Sequence, residues 1–349
     1  MQLHPINLPL TNFLLTTRSA VVKPGDAVVA EARGFMKSRV ILTAAELGLF
    51  TRLEEKPCRA QELAQEKGFD VRATTRLLDC LVTLGLISKR DGVYQLAESG
   101  ALYSSHHPET ILPMVLHMNR LWDTWSDLTE VVRTGGHADR DSGIQMGEED
   151  WKAFIGAMHV VGRELSLIIA GEYDLSRFRR LLDIGGGSGT YTIAFLQQDS
   201  AMTAVIFDLE HVIPMAIERI AAEGLADRVD LVAGDFYQDE LPTGCDLAFL
   251  SAIIHQNGPE ENLGLYRKIY EALEPGGAVL IRDYLMDESR TVPPAGAMFA
   301  INMLVNTRAG DTYTFEEVKA QLEEAGFTEV KQIRICEGMD CLVEGLKPS

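Results

Sequence analysis

The stretch LLDIGGGSGT at residues 181–190 constrains this chain more than any other. An apolar strand pattern runs straight into Gly185, Gly186, Gly187 and Gly189, and then into a helical pattern, TYTIAFLQQ. Glycine lets the backbone take positive φ and approach a ligand closely. The alternation continues to the C-terminus. TAVIFD, VDLVAGD, CDLAFLSAII and GAVLIRDYL read as strands, and VIPMAIERIAAEG and PEENLGLYRKIYEAL as helices. A further helix is expected from Thr314 to Ala325, and a closing hairpin in TEVKQIRICEGMDCLVEG. Strands alternating with helices predict an α/β fold, a doubly wound, mostly parallel Rossmann-like sheet over residues 181–349.

The glycine spacing narrows the ligand. A dinucleotide fingerprint, G-x-G-x-x-G, needs glycine at position 190, where this chain has Thr190. The spacing G-x-G-x-G is the one used by S-adenosylmethionine enzymes. The next strand ends in Asp208, 19 residues after Gly189. A carboxylate there can accept both ribose hydroxyls. The third strand ends in Gly-Asp-Phe, so Asp235 can hold an adenine amino group and Phe236 can lie on the ring. Each acid alone is equally a helix cap or turn former; acids in register at successive strand ends are more specific. The candidate cofactor set is Asp183, Gly185, Gly187, Gly189, Asp208, Leu209, Asp235, Phe236 and Ser251. No metal site is expected.

The N-terminal part has a different pattern. Residues 1–25 read as an irregular arm ending at Pro24-Gly25, followed by a helix capped by Asp26 and a second at about Val40 to Leu47. RAQELAQEKG reads as a short helix stopped by Gly68. Asp70 caps VRATTRLLDCLVTLG, whose Leu77, Leu78, Leu81, Val82 and Leu84 form an apolar face. LISKRDGVYQL follows as a hairpin turning at Asp91-Gly92. Helix, turn, helix, hairpin is the pattern of a winged helix. DNA contact would need clear positive charge. Residues 59–104 carry six basic and six acidic side chains, so packing or dimerisation is the expected role. We divide the chain into an arm and winged-helix dimerisation domain (1–110), a helical linker (111–180) and the α/β domain (181–349).

Charge supports that division. Residues 1–110 hold 13 basic and 12 acidic side chains, whereas 111–349 hold 19 and 39. A surface that acidic does not track phosphates, so no nucleic-acid partner is expected. Five scattered cysteines without a C-x-x-C pair read as reduced thiols in a cytoplasm. The N-terminus lacks the basic region of a signal peptide. The uncharged stretch Thr291–Thr307 holds two prolines and two asparagines, so it does not read as a membrane span.

The winged-helix half, LLDIGGGSGT, FDLEHVI, Gly-Asp-Phe and LEPGGAVLIRD together resemble the S-adenosylmethionine-dependent O-methyltransferases. That class includes plant caffeic-acid-type enzymes and bacterial natural-product methyltransferases. The resemblance runs from about residue 26 to 345. It implies an S-adenosyl-L-methionine cofactor, a small-molecule acceptor, and a homodimer in which the winged helix helps close the partner's acceptor pocket. It also implies that His255, just after the fourth strand, takes the acceptor's proton. Gln256 and Asn257 stand where the family has an acid and a tryptophan. Ser251 stands where the plant enzymes have a basic residue. Of the two glutamates flanking the base in those enzymes, the first falls on Asp283, one methylene shorter. The second falls on Thr312, beside Asp311. The catalytic candidates are therefore His255 and Asp283, with weaker carboxylate support for the base expected. Candidate acceptor-pocket residues are Trp122, Trp125, Phe154, Met158, His159, Met298, Asn302 and Met303, although aromatics and methionines at helical spacing equally build cores. Methylation of a small acceptor hydroxyl is the leading expectation. Methylation of sulfur, nitrogen or carbon, with His255 only orienting the acceptor, is a second. A ligand-sensing winged-helix regulator is a third.

Overall fold

The computed structural model describes residues 24–136 and 148–349. The expected N-terminal arm lies almost wholly outside the described residues.

Helices α1 (Pro24–Ala32), α2 (Gly34–Glu46) and α3 (Leu49–Glu55) come first. The second starts at Gly34, six residues before the expected Val40. Its early apolar residues, Phe35 and Met36, face solvent, so the inward period that marks a helix begins only later. The expected helix, turn, helix and hairpin follow as α4 (Ala60–Lys67), α5 (Val71–Thr83), β2 (Ile87–Arg90) and β3 (Val93–Leu96). The Asp70 carboxylate accepts the Ala73 N–H at 2.7 Å, a side-chain cap of the kind its sequence position suggests. Asp91 and Gly92 both take positive φ, +51° and +78°, as a two-residue hairpin turn of matching twist requires. A two-residue strand, β1 (Cys58–Arg59), adds to β3 with Cys58 opposite Tyr94. Leu42, Phe50, Leu53, Leu63, Leu78, Leu81 and Tyr94 form the core of this unit.

Three helices lead to the large sheet: α6 (Leu112–Ser126), α7 (Leu128–Thr134) and α8 (Glu148–Glu172). The segment Trp151–Glu172 of α8 is long and apolar enough to cross a membrane by length and composition. In the fold it packs against α6 and against α9 (Thr190–Gln198).

Seven strands form the sheet in the order β11-β12-β8-β7-β4-β5-β6. They are β4 (Arg180–Ile184), β5 (Thr203–Asp208), β6 (Val229–Ala233), β7 (Cys245–Ser251), β8 (Leu273–Asp283), β11 (Thr328–Arg334) and β12 (Cys341–Leu346). The strands β6, β5, β4, β7 and β8 run parallel. The terminal hairpin adds β12 and β11 antiparallel. Short strands β9 (Leu285–Met286) and β10 (Tyr313–Thr314) pair beside it. The remaining helices are α10 (Ile213–Ala222), α11 (Pro259–Ala272), α12 (Pro294–Asn306) and α13 (Phe315–Glu324). Alternate residues of each central strand enter two cores. Leu182, Val205, Leu250 and Ile281 face one, and Leu181, Ile206, Phe249 and Leu280 face the other. Burial on both faces is why these strands read as nearly continuous apolar runs. It also directs the polar chemistry to the carboxyl ends of the strands.

Candidate active site

The turn after β4 places Gly185 and Gly187 at φ of +67° and +57°, values that a side chain would strain. The Gly187 N–H donates to Asp208 Oδ2 at 2.7 Å. The Leu209 N–H donates to Asp208 Oδ1 at 2.7 Å. The glycine loop and the end of β5 therefore hold each other. Burial raises the Asp208 carboxyl above its ordinary value, and these two N–H bonds oppose the rise. Asp183, below the loop, is pushed up to about 6 by burial, against a 2.6 Å bond from the Thr192 hydroxyl.

A cavity of about 550 Å3 opens over this turn. Asp183, Gly185, Gly187, Asp208, Leu209, Asp235, Phe236 and Ser251, all in the candidate cofactor set, line it; Gly189 does not. The Asp235 carboxylate accepts the Tyr237 N–H at 2.9 Å and the Gln238 side-chain N–H at 2.9 Å. Phe236 lies against Tyr237 with ring centroids 4.5 Å apart. S-adenosylmethionine carries a sulfonium, an ammonium and one carboxylate. A cavity with acids at three strand ends, a flat ring at one end and a glycine turn in the middle fits that charge pattern.

Of the acceptor candidates, Phe154, Met158 and His159 on α8 line the same cavity, together with Trp151 and Ile155. His159 is held on both nitrogens. Arg219 Nη1 lies 2.8 Å from Nε2, so Nε2 accepts and Nδ1 donates to the Thr190 hydroxyl at 3.0 Å. Burial, with the Arg219 and Arg163 charges, pushes its pKa down to about 4, so the ring is a neutral wall. The other candidates do not line this cavity. Trp122 packs toward the N-terminal unit, 6.5 Å from the Phe35 ring and under the Arg39 guanidinium. Trp125 Nε1 donates to Asn302 Oδ1 at 2.9 Å, tying α6 to α12. Met303 is buried on α12, and Met298 is exposed.

His255 sits where β7 breaks. The strand stops at Ser251, short of the expected Ile254; Ala252 takes φ of +58°, and a single 3-10 turn, Ile254–Gln256, carries the histidine. Its ring is buried, with Phe299 edge-on at 4.8 Å; neither ring lines the cavity, although the flanking Ile253 and Gln256 do. Both Asp283 oxygens lie 2.9 Å from Nδ1. The shorter carboxylate thus reaches the ring despite its missing methylene. Asp283 Oδ1 also accepts the Tyr284 N–H at 2.8 Å. Among the described residues no second carboxylate joins it. The Asp311 side chain faces Arg290 at 3.6 Å, while the Asp311 N–H donates to the His255 carbonyl. Asn257, fully buried, accepts the Tyr237 hydroxyl at 2.5 Å and donates to Asn262 at 2.9 Å. That network braces the turn from below.

The structure also brings in residues that the sequence reading did not select. Phe299 touches His255, and Tyr191, Gln256 and Arg282 line the cavity. Arg282 had a visible signal: it is a charge inside the apolar strand run AVLIRDYL.

Comparison with known proteins agrees with this geometry. Residues 125–328 match the O-methyltransferase domain family, and residues 30–106 match the O-methyltransferase dimerisation domain. The chain is 33% identical to the 3-hydroxy-5-methyl-1-naphthoate 3-O-methyltransferase of Streptomyces sahachiroi, over 90% of this chain and 93% of that one. PigF, solved with S-adenosylhomocysteine, superposes with a TM-score of 0.85 at 27% identity, over 93% of this chain and 100% of PigF; a PigF from a Serratia species is also among the sequence relatives. Human N-acetylserotonin methyltransferase, solved with S-adenosylmethionine, gives 0.81 at 25% identity, over 95% of this chain and 100% of its own.

Proposed function

Since the chain belongs to the S-adenosylmethionine-dependent O-methyltransferases of small molecules, we propose that it methylates an acceptor hydroxyl, with His255 as the general base. The bound cofactor supplies an electrophilic sulfonium methyl group. Asp208 takes the ribose hydroxyls, and Asp235 and Phe236 take the adenine. These residues stand at successive carboxyl ends of parallel strands, where open α/β sheets bind ligands. The acceptor enters against Phe299 and the α8 side chains.

The observation that carries the base is the carboxylate of Asp283 at 2.9 Å from Nδ1. A carboxylate only accepts, so the Nδ1 proton is fixed toward it and Nε2 keeps its lone pair. Among the described residues Nε2 has no hydrogen-bond partner. When the acceptor oxygen forms its bond to the methyl carbon, the hydroxyl proton passes to Nε2 and the Asp283 charge stabilises the imidazolium. The proton then leaves to solvent. Positioning of donor and acceptor supplies about 7–11 kcal/mol of the barrier reduction, and the base about a further 100- to 10,000-fold.

The winged-helix half makes a homodimer. Val28, Val29, Phe35 and Met36 form an exposed apolar face on its first two helices, which a second copy would cover.

A panel of phenols, aliphatic alcohols, thiols and thioethers, scored by S-adenosylhomocysteine release, identifies the acceptor. On that acceptor, His255→Ala lowers the single-turnover rate by about 100- to 10,000-fold, with cofactor affinity nearly unchanged. A loss of tenfold or less, on a thioether or carbon acceptor, would remove the base and leave His255 an orienting group.

A further inference from the structure

Arg282 is the one lysine or arginine among the described residues lining the cavity. It is 7% exposed, at the carboxyl end of β8. A buried guanidinium is normally paired with a carboxylate, because desolvating an uncompensated charge is costly. Arg282 has no such partner among the described residues. Its Nε donates to the Ser251 hydroxyl at 2.7 Å and its Nη1 to the Met339 carbonyl at 2.7 Å. Its carbon lies 5.3 Å from the centroid of the Tyr191 ring. Nη2 makes no hydrogen bond to any described residue. The cation is held rigidly by neutral groups and opens on a cavity whose other charged lining residues are acids.

We propose that Arg282 is a cofactor-positioning residue that binds the carboxylate of the methionyl end of S-adenosylmethionine. The inference rests on the cofactor orientation given above. With adenine at the tip of β6 and ribose at the tip of β5, the remaining chain of the cofactor runs onward along the sheet edge. The strands met next are β4, β7 and β8. Adjacent strands are about 4.8 Å apart, so the cofactor's amino-acid end falls among the tips of these three. There it meets the glycine turn, Ser251 and Arg282. The register pairs Ser251 directly with Arg282. Ser251 thus does not leave the position without a cation; it holds one that arrives from the neighbouring strand. The planar fork of arginine suits a carboxylate, and here its orientation is set before the ligand arrives.

The test is calorimetric and needs no acceptor. S-adenosylhomocysteine is compared with its decarboxylated analogue, which keeps the adenosine, the thioether and the amine. Wild type prefers the carboxylate-bearing ligand by about 10- to 100-fold, the range for a hydrogen-bonded charge pair. Arg282→Gln abolishes most of that preference while binding of the decarboxylated analogue stays within about threefold of wild type. Arg282→Lys recovers part of the preference. A wild type that does not distinguish the two ligands overturns the proposal, whether or not the variants fold. So does an Arg282→Gln protein that weakens both ligands equally, since Arg282 would then only brace Ser251 and the Met339 turn. Wild type that binds neither ligand overturns the cofactor orientation itself.

Discussion

Asp283→Asn is the sharpest test of the base. The substitution conserves volume and sits 2% exposed, so it opens no cavity. It changes only the hydrogen-bond inventory. Today Oδ1 accepts both His255 Nδ1 and the Tyr284 N–H, and Oδ2 accepts Nδ1 alone. An asparagine puts its carbonyl at one of these two positions and its amide NH2 at the other. With the carbonyl at the Oδ1 position, on the Tyr284 N–H, the amide NH2 takes the Oδ2 position, 2.9 Å from Nδ1, and favours the tautomer that carries its proton on Nε2. That nitrogen can no longer accept one. With the carbonyl on Nδ1, an N–H is set against the Tyr284 N–H, at a cost of about 1–3 kcal/mol for an unsatisfied buried donor. The first arrangement is therefore preferred, and the base is lost along with its counter-charge. The single-turnover rate should fall by about 100- to 10,000-fold, the whole contribution of a general base. S-adenosylhomocysteine affinity, read by calorimetry, should stay within about threefold of wild type, because Asp283 does not line the cofactor cavity. A rate within threefold of wild type would refute the claim that Asp283 sets the His255 tautomer.

Two other outcomes are expected. The protein should sediment as a dimer at micromolar concentration, and Phe35→Asp with Met36→Asp should shift it toward monomer; an unchanged dimer would place the interface elsewhere. Burial, and nearby arginine charge after it, holds His117 and His159 down at about 4, below the ordinary value of about 6.5. The unfolded chain then binds more protons than the folded one between these limits. Stability is complete above about pH 6.5 and lost as pH falls toward 4. The wild-type Tm should therefore drop more over that range than that of His159→Gln, and equal drops would show that His159 is not buried as described.

Much of the fold was written locally. Strands buried on both faces show as apolar runs, and Gly68, Gly85, Asp70 and Asp91-Gly92 stop, cap or turn their elements by backbone chemistry that needs no tertiary partner. What was hidden depends on partners distant in sequence. The two-residue strand Cys58–Arg59 exists only because Tyr94 and Val93 lie beside it. Trp122 and Trp125 sit three residues apart on α6, near one turn of helix, yet one packs toward the N-terminal unit and the other bonds to α12. No periodicity in α6 distinguishes their fates.

The site shows the same division at finer scale. Gly185, Gly187, Asp208, Asp235 and Phe236 were legible because each ends a strand or forms the turn after it, and chain order alone puts strand ends together. His255 and Asp283 are 28 residues apart, and only the parallel pairing of β7 with β8 brings them into contact. That pairing also explains why adjacent residues do separate work. Successive side chains of a strand point to opposite faces. In β8, Arg282 reaches Ser251 and the cofactor cavity, while Asp283 reaches the imidazole. A register slip of one residue would exchange the two, setting a guanidinium against the histidine and a fourth acid in a cavity that already holds three. The dipeptide Arg-Asp at the end of β8 is thus two positioning groups for two ends of one reaction, and its order in the chain is as constrained as its composition.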